Sequence, residues 1–392
     1  MCERMIGQSR SWSKKERCFL VIATVSVLIN IILILPYIKP ICKKIEKILN
    51  PTEYFTIDTP DKDVLDKVCE ASLQFKGVKM PLYESKGLPE DLLAYFKYKK
   101  HSAVPYQYYT AYNYAGLSYY AIAANDTSLM ERLREKAKEL FLPSEKELSY
   151  ALVRIDQVPI GLFFINLYRW YKDESYMSVA ESIFKQVINW RNERGIIMYV
   201  NNNETQLIDA VGMYVPFFME YYKETGDTLA YMTVDYNMRQ LYEKSVDKES
   251  GIPVHGYNTV TGIKVGSSNW GRGIGWYLLA AAFCPQINDP VLDQSLSVME
   301  YTQFPGSNKH FDSSVALMFE IYKQSKDKQR ELSLDFIKPH ILTNGFVGEC
   351  SGDTVGLNRY SRTFGESELC NGLLLMLVSI FDNANRMQDE MI

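Results

Sequence analysis

Residues 206–223 read QLIDAVGMYVPFFMEYYK, and after a short break residues 228–245 read TLAYMTVDYNMRQLYEKS. The first segment is apolar on almost every side, and a helix of that composition has to be buried all round. The second alternates charges with an apolar stripe, so it can bury one side and leave the other in water. The two make an inner helix and an outer helix.

The same alternation recurs along the chain. Apolar segments lie near 106–124, 155–171, 206–223, 272–284, 312–323 and 367–382, and charged amphipathic stretches lie near 61–76, 128–140, 175–191, 228–245, 289–303 and 327–337. Few runs of alternating β-branched residues suggest strands, so the expected class is all-α. Six inner and six outer helices describe an (α/α)6 barrel, a six-hairpin toroid. A plain α-solenoid of stacked helix pairs gives the same alternation and is the structural alternative.

Ahead of this body, residues 18–38 read CFLVIATVSVLINIILILPYI without a formal charge. At about 1.5 Å per residue this stretch spans a hydrocarbon core of about 30 Å. A signal peptide has a shorter apolar region and a small-residue cleavage site, so an uncleaved single-pass membrane anchor is expected. Arg4, Arg10, Lys14, Lys15 and Arg17 precede the span, and Lys39, Lys43, Lys44 and Lys47 follow it. This five-to-four excess places residues 1–17 in the cytoplasm and the body outside it. The chain then divides into the anchor at 18–38, a tether at 39–58 interrupted by Pro51, a barrel at 59–385 and a tail at 386–392.

Composition excludes other classes. The net charge is −4 with both signs interspersed, which argues against a nucleic-acid partner. The seven cysteines, at 2, 18, 42, 69, 284, 350 and 370, form no C-x-x-C pair and no zinc-like spacing, so neither a metal nor an organic cofactor is expected. Four of them lie in the body, and an oxidising compartment would allow up to two disulfides. The 28 Tyr, 18 Phe and 5 Trp suit core packing first and a ring-stacking cleft second.

Three places could carry chemistry. Asp209 opens the apolar segment IDAVGMYVPFF, and Asp156, in RIDQVPIGLFF, holds the matching position one inner helix earlier. Each alone reads as a helix cap. Together, at the same end of neighbouring inner helices, two carboxylates would converge, and a close desolvated pair pushes one pKa upward. The third place is GIPVHGYN followed by SSNWGRGIGWYLLA, in which a glycine-rich turn carries Trp270, Arg272 and Trp276 into the start of an inner helix, with His255 shortly before. The aromatics could serve as sugar platforms and the guanidinium as a carboxylate fork. A glycine-rich helix start with core tryptophans is the plainer reading of the same string.

In order along the chain, RIDQ, IDAVGMYVPFFMEYYKETGD, GIPVHGY, NWGRGIGWYLLA and GECSGDTVGL before YSRTFGESELCNG resemble the unsaturated glucuronyl and rhamnogalacturonyl hydrolases, glycoside hydrolase families 88 and 105. The resemblance spans roughly residues 60–385. It implies an (α/α)6 barrel and oligosaccharide substrates that end in a 4,5-unsaturated uronic acid, split by hydration of the double bond. It also implies Asp209 as the proton-transfer residue, Asp156 as its neighbour, and His255, Trp270 and Arg272 around the unsaturated sugar. Trp276 belongs to the same substrate-binding group. The chain departs from the family string W-G-R-G-N-G-W at Ile274, and carries Glu368 and Leu369 where an aromatic commonly follows the serine. Two other functions remain open: a glycosidase acting on a saturated envelope or capsular polysaccharide, and a non-catalytic glycan-binding or assembly protein on the same barrel.

Overall fold

In a computed structural model of the chain, residues 12–49, 53–75, 107–141, 148, 151–199, 204–249, 251–268, 270–284, 290–301, 310–354, 357 and 364–380 are described. The expected tail at 386–392, Cys2 and Pro51 lie outside them. The chain forms two compact units, residues 1–52 with 85–102, and residues 53–84 with 103–392.

The described part of the first unit is one helix, α1 (Lys14–Leu49). Its first 21 residues, Lys14–Ile34, are long and apolar enough to cross a membrane, and none of this stretch is buried. α1 continues to Leu49, into the stretch read as a tether.

The second unit holds α2 (Asp61–Leu73), α3 (Tyr108–Ala123), α4 (Thr127–Lys136), α5 (Ile160–Tyr171), α6 (Glu174–Ile188), α7 (Ile208–Thr225), α8 (Thr228–Ser245), α9 (Gly271–Ala282), α10 (Pro290–Tyr301), α11 (Ser313–Lys326) and α12 (Glu368–Ile380). Five short strands accompany them. β1 (Thr205–Leu207), β2 (Gly256–Asn258) and β3 (Lys264–Val265) form one antiparallel sheet in that order, and β4 (Cys350–Ser351) pairs antiparallel with β5 (Phe364–Gly365).

Six helices form a closed ring in which α3 packs on α5, α5 on α7, α7 on α9, α9 on α11, α11 on α12, and α12 back on α3. These are the apolar segments of the sequence. In α9 every residue from Gly271 to Ala281 is buried, and in α12 every residue from Glu368 to Leu377. The outer helices bury one stripe only. In α6 the buried positions Tyr176, Val179, Ala180, Ile183, Phe184 and Val187 recur at the three- and four-residue spacing of one helix face.

Closure of the ring depends on two glycines. A Cβ added to Gly116 of α3 would lie 2.1 Å from the carbonyl oxygen of Gly372 in α12, and one added to Gly372 would lie 2.2 Å from the carbonyl oxygen of Tyr112. The first and last inner helices therefore meet backbone to backbone, a contact that no larger residue permits.

Two expectations need correction. The stretch 327–337 is not a helix: it forms turns and irregular chain before a 3-10 turn at Lys338–His340. Its apolar residues Leu332, Leu334, Phe336 and Ile337 crowd into its last six positions, too short a run to bury a helix face, and Pro339 follows closely. Instead the segment folds back over α11, where Arg330 pairs with Glu320 at 2.6 Å and Gln324 donates to the Arg330 carbonyl at 2.9 Å. The apolar run from residue 155 is also not one helix. Ile155–Gln157 is a separate 3-10 turn, and α5 begins after Pro159. Among the described residues Cys18, Cys69, Cys284, Cys350 and Cys370 are free thiols.

Candidate active site

The N-terminal ends of the inner helices gather at one rim. Thr110 of α3 donates to Glu368 of α12 at 2.6 Å, Arg272 of α9 reaches the Tyr108 hydroxyl of α3 at 3.4 Å, and the turn carrying Asp156 packs on α7. A ring of parallel helix N-termini concentrates free N–H groups and positive dipole ends at that rim.

Asp156 is set by its own turn. The Gln157 side chain accepts from the backbone of Val153 at 2.8 Å and of Arg154 at 3.3 Å, which fixes the chain just before the aspartate. Asp209 is the second residue of α7. Leu207 is the N-cap and makes no side-chain cap bond, so Asp209 does not hold the capping position itself. The entry of the helix is tied to the β2 end of the sheet by the Ile208 N–H, which donates to the His255 carbonyl at 2.9 Å.

Both carboxyls are buried, Asp156 at 5% and Asp209 at 9% exposure. Burial, and after it the Asp156 carboxylate, push the Asp209 carboxyl up to about 7; the backbone N–H groups of Asp209 and Ala210 oppose this, and Asp353 adds to it. Burial likewise pushes Asp156 up to about 6 against a hydrogen bond donated by the Tyr199 hydroxyl. The cost of desolvation thus exceeds the help from the helix start. One oxygen of Asp209, Oδ1, has no hydrogen-bond partner among the described residues. At neutral pH this leaves a carboxyl poised to hold or release a proton beside a second acid.

Asp353 is an exposed third carboxylate near the pair, and it raises the pKa of both Asp156 and Asp209. It accepts a hydrogen bond from Tyr108. Arg272 joins the same chain of contacts through Tyr108 and lies 3.5 Å from the Cys350 sulfur. Burial works against the Arg272 charge, yet Cys350, Tyr108, Asp312 and Asp353 hold its pKa above the ordinary value. Its Nε lacks a partner among the described residues.

His255 stacks on Trp270 with ring centroids 4.3 Å apart and a tilt of 33°. Burial lowers the His255 pKa to about 4, so the imidazole is neutral at physiological pH. Trp276 is more deeply packed. It meets Tyr108 edge-on at 5.5 Å and Tyr112 at 5.8 Å, and a Cβ added to Gly212 of α7 would lie 2.7 Å from its ring. At 2% exposure it braces Tyr108 from behind and offers no open face to a sugar.

The structure therefore brings together Asp156, Asp209 and, through Tyr108, Arg272. It pairs His255 with Trp270 and packs Trp276 against Tyr108 and Tyr112. Tyr199, Tyr108 and Asp353 were not singled out from the sequence. Asp353 lies within the quoted GECSGDTVGL string, which was the available signal. Tyr199 has no local signature.

The Glycosyl Hydrolase Family 88 model matches residues 91–294, just over half of the chain. The chain belongs to glycoside hydrolase family 88. Comparison with solved structures agrees with that family's fold. A possible family 105 member from Salmonella enterica is similar with a TM-score of 0.64 at 14% identity, over 86% of this chain and 97% of that one. An unsaturated glucuronyl hydrolase specific for heparin gives a TM-score of 0.56 at 13% identity, over 83% and 96%. An α-1,6-mannanase from Salegentibacter gives 0.54 at 13% identity, over 82% and 99%. The comparison with curated proteins gives no match. Family 88 membership makes the chain a glycoside hydrolase on a predominantly helical, six-hairpin-like scaffold.

Proposed function

We propose that the chain removes a 4,5-unsaturated uronic acid from the non-reducing end of lyase-generated oligosaccharides, with Asp209 as the residue that moves the proton. The observation that carries this reading is the Asp209 carboxyl, held near 7 by burial and by Asp156, with one oxygen that has no partner among the described residues. A carboxyl that is half protonated at neutral pH can act first as acid and then as base.

In this reading Asp209 gives its proton to carbon 4 of the double bond. Water then adds at carbon 5 and returns a proton to the Asp209 carboxylate. The resulting hemiketal opens to a ketone, which leaves carbon 1 as a hemiacetal that expels the remaining saccharide. Asp156 stays ionised and keeps the Asp209 proton in place. The rim of helix N-termini and the buried Arg272 charge favour an anionic sugar there, as a uronate is. His255 and Trp270 are assigned to the wall of the same subsite, and Trp276 to its support. The enzyme domain is proposed at 59–385, outside the cytoplasm, with residues 18–38 of α1 as its membrane anchor.

Asp209→Asn tests the assignment. It should abolish the fading of alkene absorbance near roughly 235 nm, since the amide has no proton of suitable acidity. Full activity in that variant removes Asp209 from the reaction. The family scaffold shared with the mannanase keeps a second reading, hydrolysis of a saturated glycan by the Asp156 and Asp209 pair. Reaction in oxygen-18 water separates the two: label enters at carbon 5 in hydration and at carbon 1 in ordinary hydrolysis.

A further inference from the structure

A cavity of about 480 Å³ lies away from the carboxylate pair, on the side of the outer helix α8. Three pieces of chain build it. Tyr236, Gln240 and Lys244 stand four residues apart on α8 and so share one face of that helix. The turn after Arg191 and the turn after Asn258 supply the other walls, and Arg194 clamps them by donating to the Thr259 carbonyl at 2.7 Å and the Val260 carbonyl at 3.2 Å. Asn192 strengthens the clamp, accepting from the Arg194 and Ile196 N–H groups at 3.0 Å each and donating to the Thr259 hydroxyl at 3.1 Å.

The lining has a definite chemistry. Arg194 and Lys244 contribute two positive charges, and neither forms an ion pair among the described residues. Among the described residues no Asp or Glu lines the cavity; Glu243, which acts electrostatically on Tyr257, lies outside the lining. Tyr236 is 42% exposed and offers an open aromatic face. At the floor, Tyr257 is only 2% exposed, and its hydroxyl has no hydrogen-bond partner among the described residues.

We infer that this cavity is a second saccharide-binding site, selective for a sugar that carries a carboxylate. Tyr236 takes the C–H face of the ring, Arg194 and Lys244 take the carboxylate, Gln240 takes hydroxyls, and Tyr257 closes the floor. The volume falls in the ordinary range for small-ligand sites and accommodates one or two sugar residues. Such a site holds an acidic glycan to the enzyme outside its reacting end. The inference rests on the cavity alone and stands whether or not the hydration reaction is the right one.

The test is calorimetric titration of the full chain in detergent micelles with trigalacturonate, a saturated acidic trisaccharide that has no double bond to react. Lys244→Glu and, separately, Tyr236→Ala should each weaken binding roughly tenfold, the loss of one good charge or stacking contact, while turnover of a disaccharide substrate stays at the parent rate. Maltotriose, which has no carboxylate, should not bind. Both variants lie at exposed positions, and unchanged circular dichroism separates lost binding from lost fold. Titrations of both variants that superimpose on the parent, or equal binding of maltotriose, overturn the inference.

Discussion

Replacing Asp156 by Asn removes the charge that holds the Asp209 proton while keeping the shape of the side chain. The Asp209 carboxyl stands at about 7 against an ordinary 3.8, a rise of about 3 on the pH scale, or roughly 4 kcal/mol at about 1.4 kcal/mol per tenfold. Burial is the largest cause and Asp156 the next. Most of the rise therefore survives in the variant, and loss of the neighbouring charge brings Asp209 down by about 1, the lower end of the range for a close carboxylate. At pH 7 the protonated fraction of Asp209 then falls from about one half to about one tenth, so the rate falls about fivefold. The sign is fixed: the active form carries the proton, so activity is lost as pH rises and the alkaline limb moves toward acid by about 1. Two measurements check this. One is the pH dependence of the decay in alkene absorbance, and the other is carbon-13 NMR titration of aspartate carboxyls, which reads Asp209 without turnover. An Asp209 titration unmoved by Asp156→Asn would refute the electrostatic reasoning, whatever the variant's activity.

Asp209→Asn should raise thermal stability at pH 8 by several degrees and give little gain at pH 4. The folded-state pKa is raised, so the folded protein binds the extra proton and loses stability as pH climbs from about 4 through about 7; differential scanning calorimetry at the two pH values reads the difference. Gly372→Ala should cost about 3 kcal/mol or more, because the new methyl meets the backbone of α3, and chemical denaturation measures the loss. Arg272→Lys should raise KM more than it lowers kcat, since an ammonium cannot hold Tyr108 and Cys350 at once and still face a carboxylate. Removal of residues 1–52 should release the protein from carbonate-washed membranes with the helical circular dichroism of the remaining chain retained, because none of the apolar stretch Lys14–Ile34 is buried.

Much of the ring was legible because its inner helices are apolar on every side, which only a surrounded helix can sustain. The stretch 327–337 misled by its charges. KDKQREL looks amphipathic, but Leu334 and Ile337 reach the core from irregular chain. The strands β1 to β5 are two or three residues long, too short for alternation to register. Asp156 and Asp209 could be paired from sequence because the starts of successive inner segments fall at the same end, even though Asp156 sits on a turn ahead of its helix and Asp209 within the first turn of its own. Tyr199 and Asp353 could not, since they reach the pair through loops whose paths follow from packing between distant parts of the chain. Trp276 reads from its glycine-rich string either as a sugar platform or as a core residue, and it packs against Gly212 and Tyr112.

The meeting of Gly116 with Gly372 also bears on how the molecule is made. The helix that seals the toroid is synthesised well after the one it closes on, 256 positions after the residue it must touch, counting from 116 to 372. At roughly 5–20 residues per second the opening helix waits about 10–50 s with an apolar flank unpaired. During that interval the nascent chain is an open arc whose free edge has the same character as the edge it lacks, which makes capture by a chaperone, or by a second arc, the principal hazard of its synthesis.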